Sequence, residues 1–180
     1  MKNQFTISSA YNWAKSQDNN SEKAIKRIVE IIKKRFSNNK NEKYNYNINY
    51  RKLRASAGRT MLDSIYKRIL NSHVVIIDLT VNNPNVFIET GIALAIEKNN
   101  PYLSIYLIRE KNKDLKLPDG IPSDLQGYFI TEYSLDSKGV VTFNDAGSLR
   151  MSIESDVKEY FAANDEIFNQ IDEFNNDNED

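Results

Sequence analysis

The chain has 180 residues, 40% of them hydrophobic, with 24 Lys and Arg against 25 Asp and Glu and a formal net charge of -1. That length and apolar content suit one ordinary globular domain with a real core and argue against a disordered or fibrous chain. The absence of cysteine excludes disulfides, thiolate catalysis and cysteine-ligated zinc, and a single histidine leaves little room for a Ser-His-Asp triad.

Residues 4–9, QFTISS, read as a first strand, followed by a polar loop over 10–20 that carries Tyr11 and Trp13. Residues 21–36 have Ala24, Ile25, Ile28, Ile31 or Ile32 and Phe36 at helical spacing, with Ser21 as the expected cap and Lys33, Lys34 and Arg35 suited to the C-terminal dipole. Residues 44–50, YNYNINY, alternate aromatic or apolar side chains with Asn, the pattern of a half-buried strand nearer a sheet edge. A basic loop, RKLRASAG, is expected over 51–58. A helix over 59–70 then presents Met61, Leu62, Ile65, Ile69 and Leu70 to the core.

The segment HVVIIDLTVNNPNVFIETGIALA, residues 73–95, is the most informative part of the chain. The β-branched run 74–77 predicts a strand buried on both faces of a parallel sheet. A helix is expected over 85–97, capped by Asn85 with Pro84 just before it. A βα junction of this kind borders the crevice where open α/β sheets bind ligands, and it places Asp78, Thr80, Asn83, Asn85 and Glu89 around that crevice. Glu89 shares the apolar stripe of Ile92, Ala93 and Ile96, where a carboxylate is unexpected. It is expected in or next to the first helical turn, and there the dipole would keep it an anion at neutral pH. His73, at the opposite end of the strand, is read as structural.

A strand follows at 102–108, then a charged loop over 109–120 that can cover a site, a fifth strand at 128–133 and a small extra strand or extended piece at 140–143. Asn144 or Asp145 caps a last helix with an expected break near Asn164. Residues 1–163 form the α/β domain and 164–180 an acidic helical or flexible tail. The alternation of strands and helices implies a mostly parallel sheet with helices on both faces. Residues 1–70 carry 16 basic against 5 acidic side chains and residues 150–180 carry 2 against 10. Solvated faces that neutralise each other account for this, and nucleic-acid binding is not expected. No apolar run has the length of a membrane span and the first residues lack a signal-peptide core, so a cytoplasmic protein with no membrane contact is expected.

Asp78-Leu79-Thr80, Asn83-Pro84-Asn85-Val86, Glu89 and Gly91-Ile92-Ala93 in register resemble the nucleoside 2-deoxyribosyltransferase-like and TIR-like nucleotide-binding proteins of prokaryotes. The likeness extends to Arg51 and Gly58 upstream and to Pro122-x-Asp124-Leu125 downstream. It implies a flavodoxin-like (Rossmann-like) three-layer sandwich with a five-stranded sheet. It also implies an N-glycosidic-bond enzyme acting on a nucleoside, nucleotide or NAD, in a setting such as bacterial anti-phage defence. In the deoxyribosyltransferases the Glu of an E-x-G-x-A segment is the nucleophile, which maps onto Glu89, Gly91 and Ala93. Asp78 would assist catalysis by orienting base or ribose, Asn83 and Asn85 would bind the sugar, and Arg51 or Arg54 would pair with a phosphate. Ser8, Ser9 and Thr80 complete the expected substrate contacts. No metal and no cofactor are expected, NAD or a nucleotide entering only as substrate or ligand. The competing readings are a nucleotide sensor using the same crevice without turnover, and a homo-oligomeric, TIR-like assembly module.

Overall fold

The computed structural model describes residues 4–12, 20–37, 46–53, 60–81, 83–111, 125 and 128–176, with side chains up to residue 165. The elements follow in the order β1 (Gln4–Ala10), α1 (Asn20–Ser37), β2 (Asn47–Lys52), α2 (Met61–Leu70), β3 (Val74–Asp78), α3 (Pro84–Glu97), β4 (Ser104–Glu110), β5 (Ile130–Leu135), β6 (Val141–Phe143) and α4 (Ala146–Asn176). One sheet takes them in the order β2-β1-β3-β4-β5-β6. The first five strands pair in parallel and β6 is antiparallel to β5.

β3 lies between β1 and β4, and all five of its residues are buried. Its continuous apolar run follows from that position, because successive side chains point to opposite faces and both faces are covered. Val74 and Ile76 pack with Ile25, Ile28 and Ile32 of α1 and Ile153 and Val157 of α4. Val75 and Ile77 pack with Ile65 and Ile69 of α2 and Val86, Ala93 and Ile96 of α3. Each fully buried Val or Ile contributes about 1.5–3 kcal/mol, so this strand ties both helix layers to the sheet.

Several boundaries differ from those expected. The sheet has six strands rather than five, because a tight turn returns the chain after β5. Asp136 Oδ1 accepts from the backbone N–H groups of Lys138 and Val140, and Gly139 takes a φ of 75° that favours glycine. β2 ends at Lys52, so Arg51 and Lys52 belong to a strand, paired with Ser8 and Ser9, and not to the basic loop. β4 and β5 each begin two residues later than expected. For β4 the cause is a turn in which Asn100 Oδ1 accepts from Tyr102 N–H.

α2 begins at Met61, because Thr60 caps it by accepting from Asp63 N–H. Only Ile65 and Ile69, with Ser64, are buried in α2; Met61, Leu62 and Leu70 are about half exposed. Leu70 sits about 100° round the helix from Ile69, outside the stripe that meets the sheet. Ser21 is not a cap, since α1 already includes Asn20, and its side chain is buried. α4 is capped by Asp145, whose Oδ1 accepts from Ser148 N–H, and it continues unbroken past Asn164 to Asn176. Asn164 stays within the helix by donating from Nδ2 to the Tyr160 carbonyl, 2.7 Å away.

Candidate functional site

The strand order reverses between β1 and β3: β1 continues outward to β2, and β3 continues inward to β4. In open α/β sheets a ligand crevice forms at the carboxyl ends of two such strands. The loop after β1 and the loop after β3 border it here, and Asn83 Nδ2 donates to Asn12 Oδ1 at 2.9 Å to join them.

α3 starts two residues earlier than the sequence suggested. Asn83 is the cap and its side chain accepts from Asn85 N–H at 2.9 Å, with Pro84 as the first helical residue. Proline suits that place because its φ is already helical and it has no N–H to leave unpaired. Asn85 is therefore inside the helix and exposed. Asn83 bridges the two loops and caps the helix with the same amide.

The shift changes the chemistry of Glu89. It becomes the sixth residue of α3, beyond the first turn, which holds no acidic residue. The helix end no longer favours its anion. Its side chain lies on the buried stripe with Val86, Thr90, Ala93 and Ile96, and the residue is 5% exposed. Among the described residues it has no hydrogen-bond partner. Burial alone pushes its carboxyl up to about 7, because an unpaired charge loses its hydration there. The expectation of a fully ionised Glu89 at neutral pH is overturned: desolvation outweighs the dipole.

Asp78 does not share this environment. It ends the β3 series Val74, Ile76, Asp78, which faces α1 and α4, whereas Glu89 lies on α3 across the sheet. Tyr133 Oη donates to Asp78 Oδ2 at 2.7 Å, and Thr80 N–H donates to Oδ1 at 2.7 Å. Burial still pushes the Asp78 carboxyl above its usual range, against the hydrogen bonds from Thr80, Tyr133 and Ser21 that favour the anion. Thr80 Oγ1 accepts from Glu110 N–H at 2.7 Å and lies 3.2 Å from Tyr133 Oη. Asp78 and Thr80 therefore lock the start of the β3–α3 loop to β4 and β5. The structure thus places Asp78 and Glu89 on opposite sides of the sheet and does not bring their side chains together.

The remaining expected contacts divide as the strand alternation dictates. Ser9 faces α1 and α4, with its hydroxyl 2.9 Å from Tyr50 Oη. Ser8 faces the other way, 2.7 Å from Ser72 Oγ, and accepts from Arg51 Nε at 3.1 Å. Arg51 Nη2 reaches the carbonyls of Arg68 and Asn71 at 2.6 and 2.7 Å. It thus caps the C-terminal end of α2, on the side where the chain enters β3, and not a ligand phosphate. Arg54, Gly58, Pro122 and Asp124 lie outside the described residues.

The sequence did not single out Tyr133 or Asn12 and read Ser21 only as a helix cap; all three matter here. Nor did it indicate Glu22, which accepts from Lys52 Nζ at 2.6 Å and from Tyr11 Oη at 3.0 Å, beside the ends of β1 and β2. Lys26 and Lys52 hold that carboxyl down at about 2. Only a buried polar Ser21 inside an amphipathic helix offered a local signal. The other partners come together from distant parts of the chain.

Among the described residues no group of three or more His, Asp or Glu side chains is placed to hold a metal ion. No helix of the described residues is long and apolar enough to cross a membrane. No family model and no curated protein matches the chain. Among solved structures, one of a pilus assembly-related protein from Burkholderia pseudomallei is similar at 12% identity, covering 86% of this chain and 90% of that one with a TM-score of 0.40.

Proposed function

We propose that the protein is an N-glycosidic-bond enzyme, a hydrolase or transferase for a nucleoside, nucleotide or NAD, with Glu89 as its catalytic carboxylate. One observation carries the reading: Glu89 is a buried acid with no hydrogen-bond partner among the described residues, on the helix that follows the central strand, whose neighbour β1 marks the reversal of strand order. An unpartnered buried acid destabilises a fold, and such groups concentrate where function requires them. The strand order β2-β1-β3-β4-β5 is that of a flavodoxin-like sheet, to which β6 is added.

With its carboxyl pushed up to about 7 by burial, Glu89 exchanges its proton within the neutral range. The ionised oxygen attacks the anomeric carbon; the C–N bond breaks with its electron pair passing to the base, which takes a proton from solvent when it leaves a nucleoside or nucleotide and departs from NAD as neutral nicotinamide without one. Water, or the hydroxyl or base of an acceptor, then displaces the carboxylate, releases a proton and regenerates the site. Asp78 serves as a positioning residue: it holds the β3–α3 loop through Thr80 and Tyr133. Asn83 sets the start of α3 and, with Asn12, the separation of the two bordering loops.

A panel of nucleosides, nucleotides and NAD assayed for free base tests the reading. Turnover of at least one by the wild type is expected, with Glu89→Gln inactive yet still able to bind the same compound. Absence of turnover on the whole panel, or an active Glu89→Gln, refutes it.

A further inference from the structure

A cavity lies at the end of the strands opposite Asp78 and Asn83. It has a volume of about 730 Å³ and is bounded by the starts of β1, β3 and β4 and by α4. Small-molecule sites range over about 300–1,000 Å³. The mechanism proposed for Glu89 uses none of its residues.

His73 forms part of its wall. Its Nδ1 accepts from Thr6 N–H at 2.9 Å, so in the neutral ring the proton sits on Nε2. Nε2 has no hydrogen-bond partner among the described residues. Burial and the neighbouring Arg51 hold the imidazole down at about 4, so at neutral pH it is a donor without charge. The ring is fixed between Phe5 and Tyr160, at centroid distances of 5.0 and 4.2 Å. Tyr160 and the exposed Tyr102 add further aromatic surface to the wall.

The charges in the cavity have one sign. Among the described residues Asp156 and Glu159 line it, and no Lys or Arg does. Asp156 accepts from Tyr106 Oη at 2.7 Å and Glu159 from Ser155 Oγ at 2.8 Å; each carboxylate keeps further acceptor capacity. Asn100 Oδ1 accepts from Tyr102 N–H, which leaves its amide hydrogens for a ligand. Anions are disfavoured in such a place, and flat rings with hydrogen-bonding edges are favoured by stacking and by the exposed donors and acceptors.

We propose that this cavity is a second small-molecule site, distinct from Glu89, for a flat, uncharged or cationic heterocycle that accepts from His73 Nε2 and donates to Asp156 or Glu159. The single histidine of the 180-residue chain provides a direct readout, since it gives one set of imidazole NMR signals. Titration with adenine and with the cationic ring 1-methylnicotinamide, each of which carries both an acceptor and an N–H donor, is expected to shift those signals saturably at millimolar concentrations or below, whereas benzoate and inorganic phosphate leave them in place. Ala163→Phe, from an exposed position on the cavity wall, is expected to weaken both shifts by about tenfold or more. Asn100→Trp provides a second obstruction from the loop before β4. Failure of both rings to give a saturable shift overturns the proposal. So does equal response to benzoate, or unchanged affinity in both obstructed variants when their circular dichroism matches the wild type.

Discussion

Replacing Glu89 by Gln should stabilise the fold, and by an amount that depends on pH. The Glu89 carboxyl is raised from 4.5 to about 7 by burial without a partner. Below about pH 4.5 the residue is protonated in both the folded and the unfolded chain, and it imposes no pH-dependent penalty. As pH rises from 4.5 towards 7 the unfolded chain releases its proton while the folded one retains it, so stability falls; above 7 the full penalty is present. At about 1.4 kcal/mol per unit of pKa the penalty is about 3 kcal/mol, and at 5% exposure solvent screening does little to reduce it. Glutamine has nearly the shape of the protonated acid and no charge. Glu89→Gln should therefore match the wild type at pH 4 and exceed it by about 3 kcal/mol at pH 8, roughly 6–12 °C in Tm for a domain of this size. Urea unfolding of both proteins from pH 4 to 8 isolates the effect, because every other titrating group is common to the two. A difference that does not vary with pH, or a variant less stable at pH 8, would refute the desolvation argument for Glu89. Greater stability together with lost turnover is the pattern of a site held at the expense of the fold.

Three further outcomes follow from the same geometry. Tyr133→Phe removes the donor to Asp78 and leaves a buried acid short of a partner, so the urea midpoint should fall by the equivalent of about 1–3 kcal/mol with an unchanged slope; a loss within a few tenths would show that Tyr133 does not support Asp78. Arg51→Met deprives the α2 terminus of its cap and should lower stability by about 2 kcal/mol without changing KM, while Arg51→Lys restores little because it lacks the planar fork; a raised KM at unchanged stability would return Arg51 to phosphate binding. Asn83→Ala removes both the α3 cap and the link to Asn12 and should cost about 1 kcal/mol or more by thermal melting, whereas an equal loss in Asn85→Ala would place the cap at Asn85 after all.

Local chemistry determined a large part of this protein. The β-branched run of β3, the 3.6-residue periodicity of α1 and the repeated alternation of strands with helices specify a mostly parallel sheet covered on both faces, because each pattern reflects which sides of an element meet water. The same reasoning marked Glu89 as an acid on an apolar stripe, and that stripe is buried. Whether Glu89 would be charged depended on how deeply α3 buries it, and its place beyond the first turn on where α3 begins. Two Asn residues flank Pro84, and both can cap; the contact between Asn83 and Asn12, 71 residues away in the chain, is a tertiary matter. Arg51 is similar. A basic run after a strand reads as a loop, until the register with β1 carries the strand through Lys52 and brings the guanidinium to the end of α2. Asp78 sits at the carboxyl end of the central strand, as the βα junction required, but strand alternation turned it towards Tyr133 and away from Glu89. The sequence thus specified the elements and the acid that does not fit them. The partner of each polar group was decided by register and by which face of the sheet each strand end presents, quantities that exist only once distant segments have packed.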